Sequence, residues 1–166
     1  SGDVFIDNTG LLIIANGATT TAGSTIDLKS DNNISIAGTF DSGASISALL
    51  IEADGSTAAF ANNALVKVTN LTVIADILTL SNTADNLAAS GAIILKQSTD
   101  AVAINIGTGT SGFAISAAEL ASISSTATSV TVGTQAKNGA ITVAGSGISS
   151  NNSLSLGGAS LNFSDA

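Results

Sequence analysis

The stretch FAISAAELASISSTATSVTVGTQAKNGAITVA, Phe113 to Ala144, carries apolar residues two apart in three short runs: Phe113/Ile115, Val130/Val132 and Ile141/Val143. Side chains of an extended chain alternate between faces, so a period of two marks strands with one buried face. Between the first two runs lies Ala117 to Ile123, AAELASI, whose composition favours helix and whose length allows two turns. Set among short strands, it reads as a corner excursion between coils, and Glu119 within it reads as part of that corner and not as an isolated acid. Asn138-Gly139 supplies a turn before the third run.

The same pairing runs outward in both directions, from Val4/Ile6 to Leu161/Phe163. Residues between the paired positions, such as Asp27, Ser35, Lys67, Thr72, Asn105, Thr131 and Asn162, are polar and support the same phase. One pair per turn gives starts at Val4, Ile26, Leu49, Leu71, Ile93, Phe113, Val130 and Leu154, a mean step of about 21 residues, in the range of solenoid repeats. A second series, Leu12, Ile34, Phe60, Leu78, Ile104, Leu120, Ile141 and Leu161, interleaves with it at a similar step. Two ladders with one period describe a coil. The expected fold is therefore all-β: a parallel β-helix, or β-solenoid, of roughly seven to eight coils of about 20–22 residues.

Turn dipeptides at Asn16-Gly17, Asp54-Gly55, Ser90-Gly91, Asn138-Gly139 and Gly157-Gly158, with GTGTSG over Gly107 to Gly112, provide positive φ for sharp corners. An antiparallel β-sandwich uses similar dipeptides in its hairpins and is the alternative. Composition disfavours it. Aromatic residues are only 3%, proline is absent, and the 45% of apolar residues are mainly Ala, Ile, Leu and Val, which fill a narrow core. Residues 1–166 read as a single solenoid segment, an excerpt or repeat of a longer chain, with no polar cap at either end. Open sheet edges at such ends are templates for addition, so end-to-end self-association or a continuing parent chain is expected.

Charge narrows the partners. Twelve carboxylates against four lysines give a net charge of −8, which repels nucleic-acid backbones and anionic lipid. No apolar run reaches the roughly 18 residues of a spanning helix, so membrane insertion is not expected.

The text from Ala103 to Phe163 resembles the repetitive β-helical shafts of filamentous haemagglutinin-like bacterial exoproteins, in Glu119-Leu120 and Ile123 after a strand, then Val130-Thr-Val-Gly133 and Gly139-Ala-Ile-Thr-Val143. Gly2 to Ile13 and Leu65 to Asn82 look like ordinary shaft coils of the same group. The resemblance implies a right-handed parallel β-helix, secreted or displayed on a bacterial cell surface, acting as adhesin, fibre or scaffold.

Chemistry is sparsely provided. Without His or Cys the usual nucleophile triads are excluded, and only a serine with Lys96 or Lys137 remains formally open. Paired carboxylates, Asp27 with Asp31 and Glu52 with Asp54, are the candidates for a β-helical polysaccharidase. Against that reading, Asp27 and Glu52 hold outward strand phases, Asp31 and Asp54 fall in turns, and no Arg or aromatic platform accompanies them. The five Phe residues, Phe5, Phe40, Phe60, Phe113 and Phe163, read mostly as core. Calcium could meet turn carboxylates at Asp3, Asp7, Asp31, Asp54, Asp85 or Asp100, yet no calcium-loop motif frames them. Asn-x-Ser/Thr occurs at Asn33, Asn70, Asn151 and Asn162 and would permit glycosylation in a secreted protein.

No catalytic, cofactor or metal residue is assigned. The expected function is a non-enzymatic structural or adhesive module, a shaft segment of a secreted or cell-surface fibre. A carbohydrate- or receptor-binding module using the outward polar face, with host or neighbouring-cell glycans or receptors as partners, is the alternative.

Overall fold

The computed structural model describes residues 3–15, 24–41, 46–108, 112–145 and 148–164. The chain winds as stacked coils of short parallel strands. The first coil holds β1 (Val4–Asn8) and β2 (Leu12–Ile14), and the second β3 (Ser24–Ser30), β4 (Ile34–Ile36) and β5 (Phe40–Asp41). The third holds β6 (Ile46–Ala53), β7 (Ala59–Asn62) and β8 (Val66–Val68), and the fourth β9 (Leu71–Ile74), β10 (Ile77–Thr79) and β11 (Leu87–Ala89). The fifth runs through β12 (Ala92–Lys96), β13 (Ile104–Gly107), β14 (Phe113–Ser116) and a short helix α1 (Ala117–Ser122). Then come β15 (Ser129–Gly133) with β16 (Ala140–Ala144), and β17 (Leu154–Gly157) with β18 (Ser160–Ser164).

All inter-strand pairings among the described residues are parallel, which removes the antiparallel sandwich. The first face is a seven-stranded sheet, β1-β3-β6-β9-β12-β15-β17, and it spans about six turns. The expected first ladder is present in register as Val4, Ile26, Leu49, Leu71, Ile93, Val130 and Leu154. Phe113, the expected sixth start, is not on this face. The step from Ile93 to Val130 is 37 residues, against 22 to 24 elsewhere.

Phe113 lies instead on the second face, paired with Ile104. That face consists of two four-stranded sheets, β2-β4-β7-β10 and β14-β13-β16-β18. After β13 the chain turns back and lays β14 between β13 and the fourth coil, so spatial order and chain order are exchanged there. Leu120, expected as the next rung, is instead the buried apolar residue of α1.

A third face, absent from the two expected ladders, stacks Phe40, Val66 and Leu87, and an isolated bridge adds Ile123. Its strands are only two to three residues long, too short for alternation to stand out from the background.

The core is the stacked inward positions: Ile26, Leu49, Leu71, Ile93 and Val130 on one face, Ile34, Phe60, Leu78, Phe113, Ile104 and Ile141 on another, each at most 5% exposed. Burying each such side chain is worth about 1.5–3 kcal/mol against leaving it exposed. Phe40, Phe60 and Phe113 are core residues as expected, whereas Phe5 and Phe163 are 72% and 74% exposed. Phe5 sits on the outward phase of β1, and Phe163 points inward from β18 with no described strand beyond it.

Corner chemistry differs in detail from the turn rules. At Asn138-Gly139 the positive φ, 52°, belongs to Asn138, which ends a 3-10 turn over Gln135–Lys137. Gly139 is required by proximity: a Cβ there would collide with the Val102 carbonyl oxygen and Gln97 Nε2. The Asn16-Gly17 turn lies outside the described residues.

Ala101 holds φ 61° with its N–H donated to the Lys137 carbonyl. A left-handed conformation costs an L-residue about 1–2 kcal/mol, and glycine's extra chain entropy offsets about 0.5–1 of that. Ala101→Gly is therefore expected to raise stability by about 0.5–1 kcal/mol, seen as a thermal midpoint about 2 °C higher.

Candidate functional site

The carboxylates proposed for chemistry are distributed along coil corners and outward strand positions. In register on the outer side of the first face stand Asp7, Lys29, Glu52, Ile74 and Lys96. Lys29 Nζ is 3.5 Å from Glu52 Oε1 and 3.8 Å from Asp54 Oδ2, and Ser98 Oγ donates to Asp54 Oδ1 at 2.7 Å. Glu52 and Asp54 are thus brought together, but around one shared ammonium, so their surroundings are alike. A hydrolytic acid and base need environments that push two carboxyls apart. Asp27 lies between Phe5 and Leu50 on the outer side of β3, and Asp31 turns away after the strand with its N–H donated to the Asn8 carbonyl.

Attraction by Glu52 raises the Lys29 pKa above its ordinary 10.5, with desolvation opposing it and Asp54 and Asp7 adding to the rise. A raised lysine stabilises the fold fully below 10.5 and loses that contribution as pH climbs through the folded value. The ammonium is solvent-exposed, so the increment is small. The expected result is a slightly steeper alkaline loss of thermal midpoint in the native chain than in Lys29→Gln, followed by circular dichroism above pH 10.5.

Among the calcium candidates, Asp3 Oδ1 accepts the Thr25 N–H at 2.9 Å, Asp100 pairs with Lys137 at 3.2 Å, and Asp85 occupies a left-handed turn. No group of three or more acidic, His or Cys side chains gathers to hold a metal among the described residues. Three of the four sequon asparagines are drawn into corners. Asn70 donates to the Ser47 carbonyl and accepts from the Ala92 N–H, Asn33 accepts from the Ala59 N–H, and Asn151 donates to the Ala121 carbonyl. Asn162 is exposed on β18.

Asp76, not among the expected site residues, sits among apolar residues in VIADIL. It is 2% exposed, and its Oδ1 accepts the Ser98 and Thr99 N–H groups, both at 2.9 Å, from the next coil. A carboxylate accepting backbone amides makes charge-assisted bonds stronger than neutral ones. An acidic residue inside an apolar run was the available signal, because only a specific partner makes its burial tolerable.

The most built-up polar arrangement lies where β14 enters. Between β10 and β14 there is no continuous ladder. Leu78 N–H donates to the Gly112 carbonyl at 3.2 Å, but the Ala114 N–H turns back to that same carbonyl at 3.0 Å. One turn further along, Glu119 reaches into the seam. Its Oε1 accepts the Leu80 N–H at 2.9 Å and its Oε2 the Ser116 N–H at 2.8 Å. The Ser116 hydroxyl in turn accepts the Glu119 N–H, completing the capping box of α1. Ser122 Oγ donates to the Ser81 carbonyl, the Ser122 carbonyl accepts the Asp85 N–H, and Thr126 Oγ1 donates to the Ala89 carbonyl. A groove of about 270 Å³ remains over the seam, lined by Leu78, Thr79, Leu80, Asn82, Ala114, Ser116 and Glu119.

These groups share one role in the structure: they hold coil to coil where backbone ladders stop. The chain matches no protein-family model, no curated protein and no solved structure. No helix among the described residues is long and apolar enough to cross a membrane.

Proposed function

We propose that this chain is a non-enzymatic structural module, a shaft segment of a secreted or cell-surface fibre or adhesin of the filamentous haemagglutinin-like kind. The observation that carries the reading is the use of polar side chains. Glu52, Asp54, Asp76, Asn70 and Glu119 are each bonded to another coil. A solenoid braced in this way transmits load and projects what it carries. Kinship with that exoprotein group rests on the resemblance in Ala103 to Phe163, and secretion rests on the same resemblance.

End-to-end association belongs to this proposal. The first coil presents Val4, Ile6, Leu12 and Ile14 and the last Leu154, Leu156, Leu161 and Phe163, in matching inward phases. A further coil, from a longer chain or a second copy, would extend the ladders at about 4.8 Å per strand.

The test is electron microscopy of the purified chain at increasing concentration, with polysaccharide incubation and a glycan array in parallel. Rods that lengthen without ligand support the module. Reducing-sugar release that disappears in Asp27→Ala or Glu52→Ala would overturn it in favour of an enzyme, and specific glycan retention would overturn it in favour of a binding module.

A further inference from the structure

The outer side of the seven-stranded face is not uniformly polar. The positions between the inward pairs of its central strands are Leu50, Thr72 and Ile94, in register across β6, β9 and β12, with Ile74 beside Thr72. Leu50, Ile74 and Ile94 are half-buried by their neighbours with their outer surfaces in solvent. Glu52 flanks Ile74 on β6 and Lys96 flanks it on β12. Three of the four lysines make ion pairs, Lys29, Lys67 and Lys137; Lys96 makes none among the described residues.

We infer that this face pairs with the same face of a second copy, about a two-fold axis that runs along β9. Such an axis reverses coil order but keeps strand direction, so β6 of one copy lies over β12 of the other. Ile74 then meets Ile74, Thr72 meets Thr72, and Leu50 meets Ile94. Glu52 meets Lys96 on both sides of the axis and supplies the missing partner. Further out, Asp27 faces Thr131 and Lys29 faces the Gly133 end of β15, so no like charges oppose one another.

Neighbouring registers fail on charge. Centring the axis on β6 sets Glu52 against Glu52, and centring it on β12 sets Lys96 against Lys96. Centring it between β6 and β9 brings Lys29 onto Lys96, and between β9 and β12 leaves Glu52 and Lys96 both unmatched. Like-charge opposition of this kind is how an interface selects one register. Seven strands about 4.8 Å apart and about five residues long present roughly 500 Å² of face per copy, or about 1,000 Å² in total. That is the lower limit for a specific interface, so the dimer is weak, with a dissociation constant on the order of micromolar or above.

This lateral pairing is independent of end-to-end stacking, and the two separate in one set of experiments. The chain has no cysteine, so Ile74→Cys places a single thiol on the axis and Thr79→Cys a control thiol on the exposed second face. Mild oxidation of the full chain is expected to yield disulfide dimer from Ile74→Cys at least tenfold faster than from Thr79→Cys. With end stacking blocked by Phe163→Asp, sedimentation equilibrium is expected to show association that stops at two copies, weakened at least tenfold by Lys96→Glu and retained in Lys96→Arg. Circular dichroism of Lys96→Glu checks that the coil stack is intact. Monomeric sedimentation with equal cross-linking rates would overturn the inference. So would open-ended growth that ignores Lys96→Glu but is abolished by Phe163→Asp, since that pattern belongs to end stacking alone.

Discussion

Phe60→Ala is expected to lower the unfolding free energy by about 3–5 kcal/mol. Phe60 has no exposed surface and is stacked in register between Ile34 and Leu78 on the second face. A core filled by Ile, Leu and Val ladders has few large side chains able to move into the space, so the cavity stays open. Typical domains are stable by only 5–15 kcal/mol, and coil stacks depend on nearest neighbours, so the loss should also weaken the adjoining coils. Urea unfolding followed by circular dichroism measures it. Phe163→Ala is the internal control: Phe163 is 74% exposed, and its removal is expected to change stability by no more than about 0.5 kcal/mol. Equal effects from the two substitutions would contradict the coil assignment.

Glu119→Ala is expected to cost about 2–3 kcal/mol. The carboxylate accepts the Leu80 and Ser116 amides and completes the capping box of α1. Hydrogen bonds to a charged acceptor contribute about 1.5–3 kcal/mol, and loss of a helix cap about 1; water entering the half-open groove recovers part. The loss should be local. In hydrogen exchange the Leu80 and Ser116 amides are expected to lose protection, while those of β3 and β6 keep theirs. Glu119→Gln keeps one good acceptor and should cost about half as much. Uniform deprotection of all coils would mean that the seam is no separate unit.

Much of the fold was legible because its signals are local. Leu49/Ile51 and Ile93/Leu95 face inward as read, since alternation is a property of the extended backbone itself. Leu50 and Ile94, apolar at outward positions, broke the polar pattern, and only the register shows them side by side across Thr72. The candidate site was less legible. Glu52 and Asp54 are together as the spacing suggested, but what they share is Lys29, and nothing local in IEAD shows a lysine 23 residues earlier. Asp76 was hidden for the same reason: its partners are Ser98 and Thr99, one coil on.

The amino-acid sequence by itself determined the strand phases, a coil period near 21 residues and the narrow aliphatic core, all consequences of spacing and side-chain size within short windows. Tertiary structure alone decided the rest. The stretch from Phe113 to Ala144 contains three real strands, but β14 is laid back beside β13 and faces β10, so the first ladder passes from Ile93 to Val130 without it. AAELASI forms a capped helix whose glutamate replaces a missing ladder partner 39 residues away. Parallel pairing joins segments whose separation in the chain is set by loops, and loop length does not reveal whether a strand advances the stack or turns back along it.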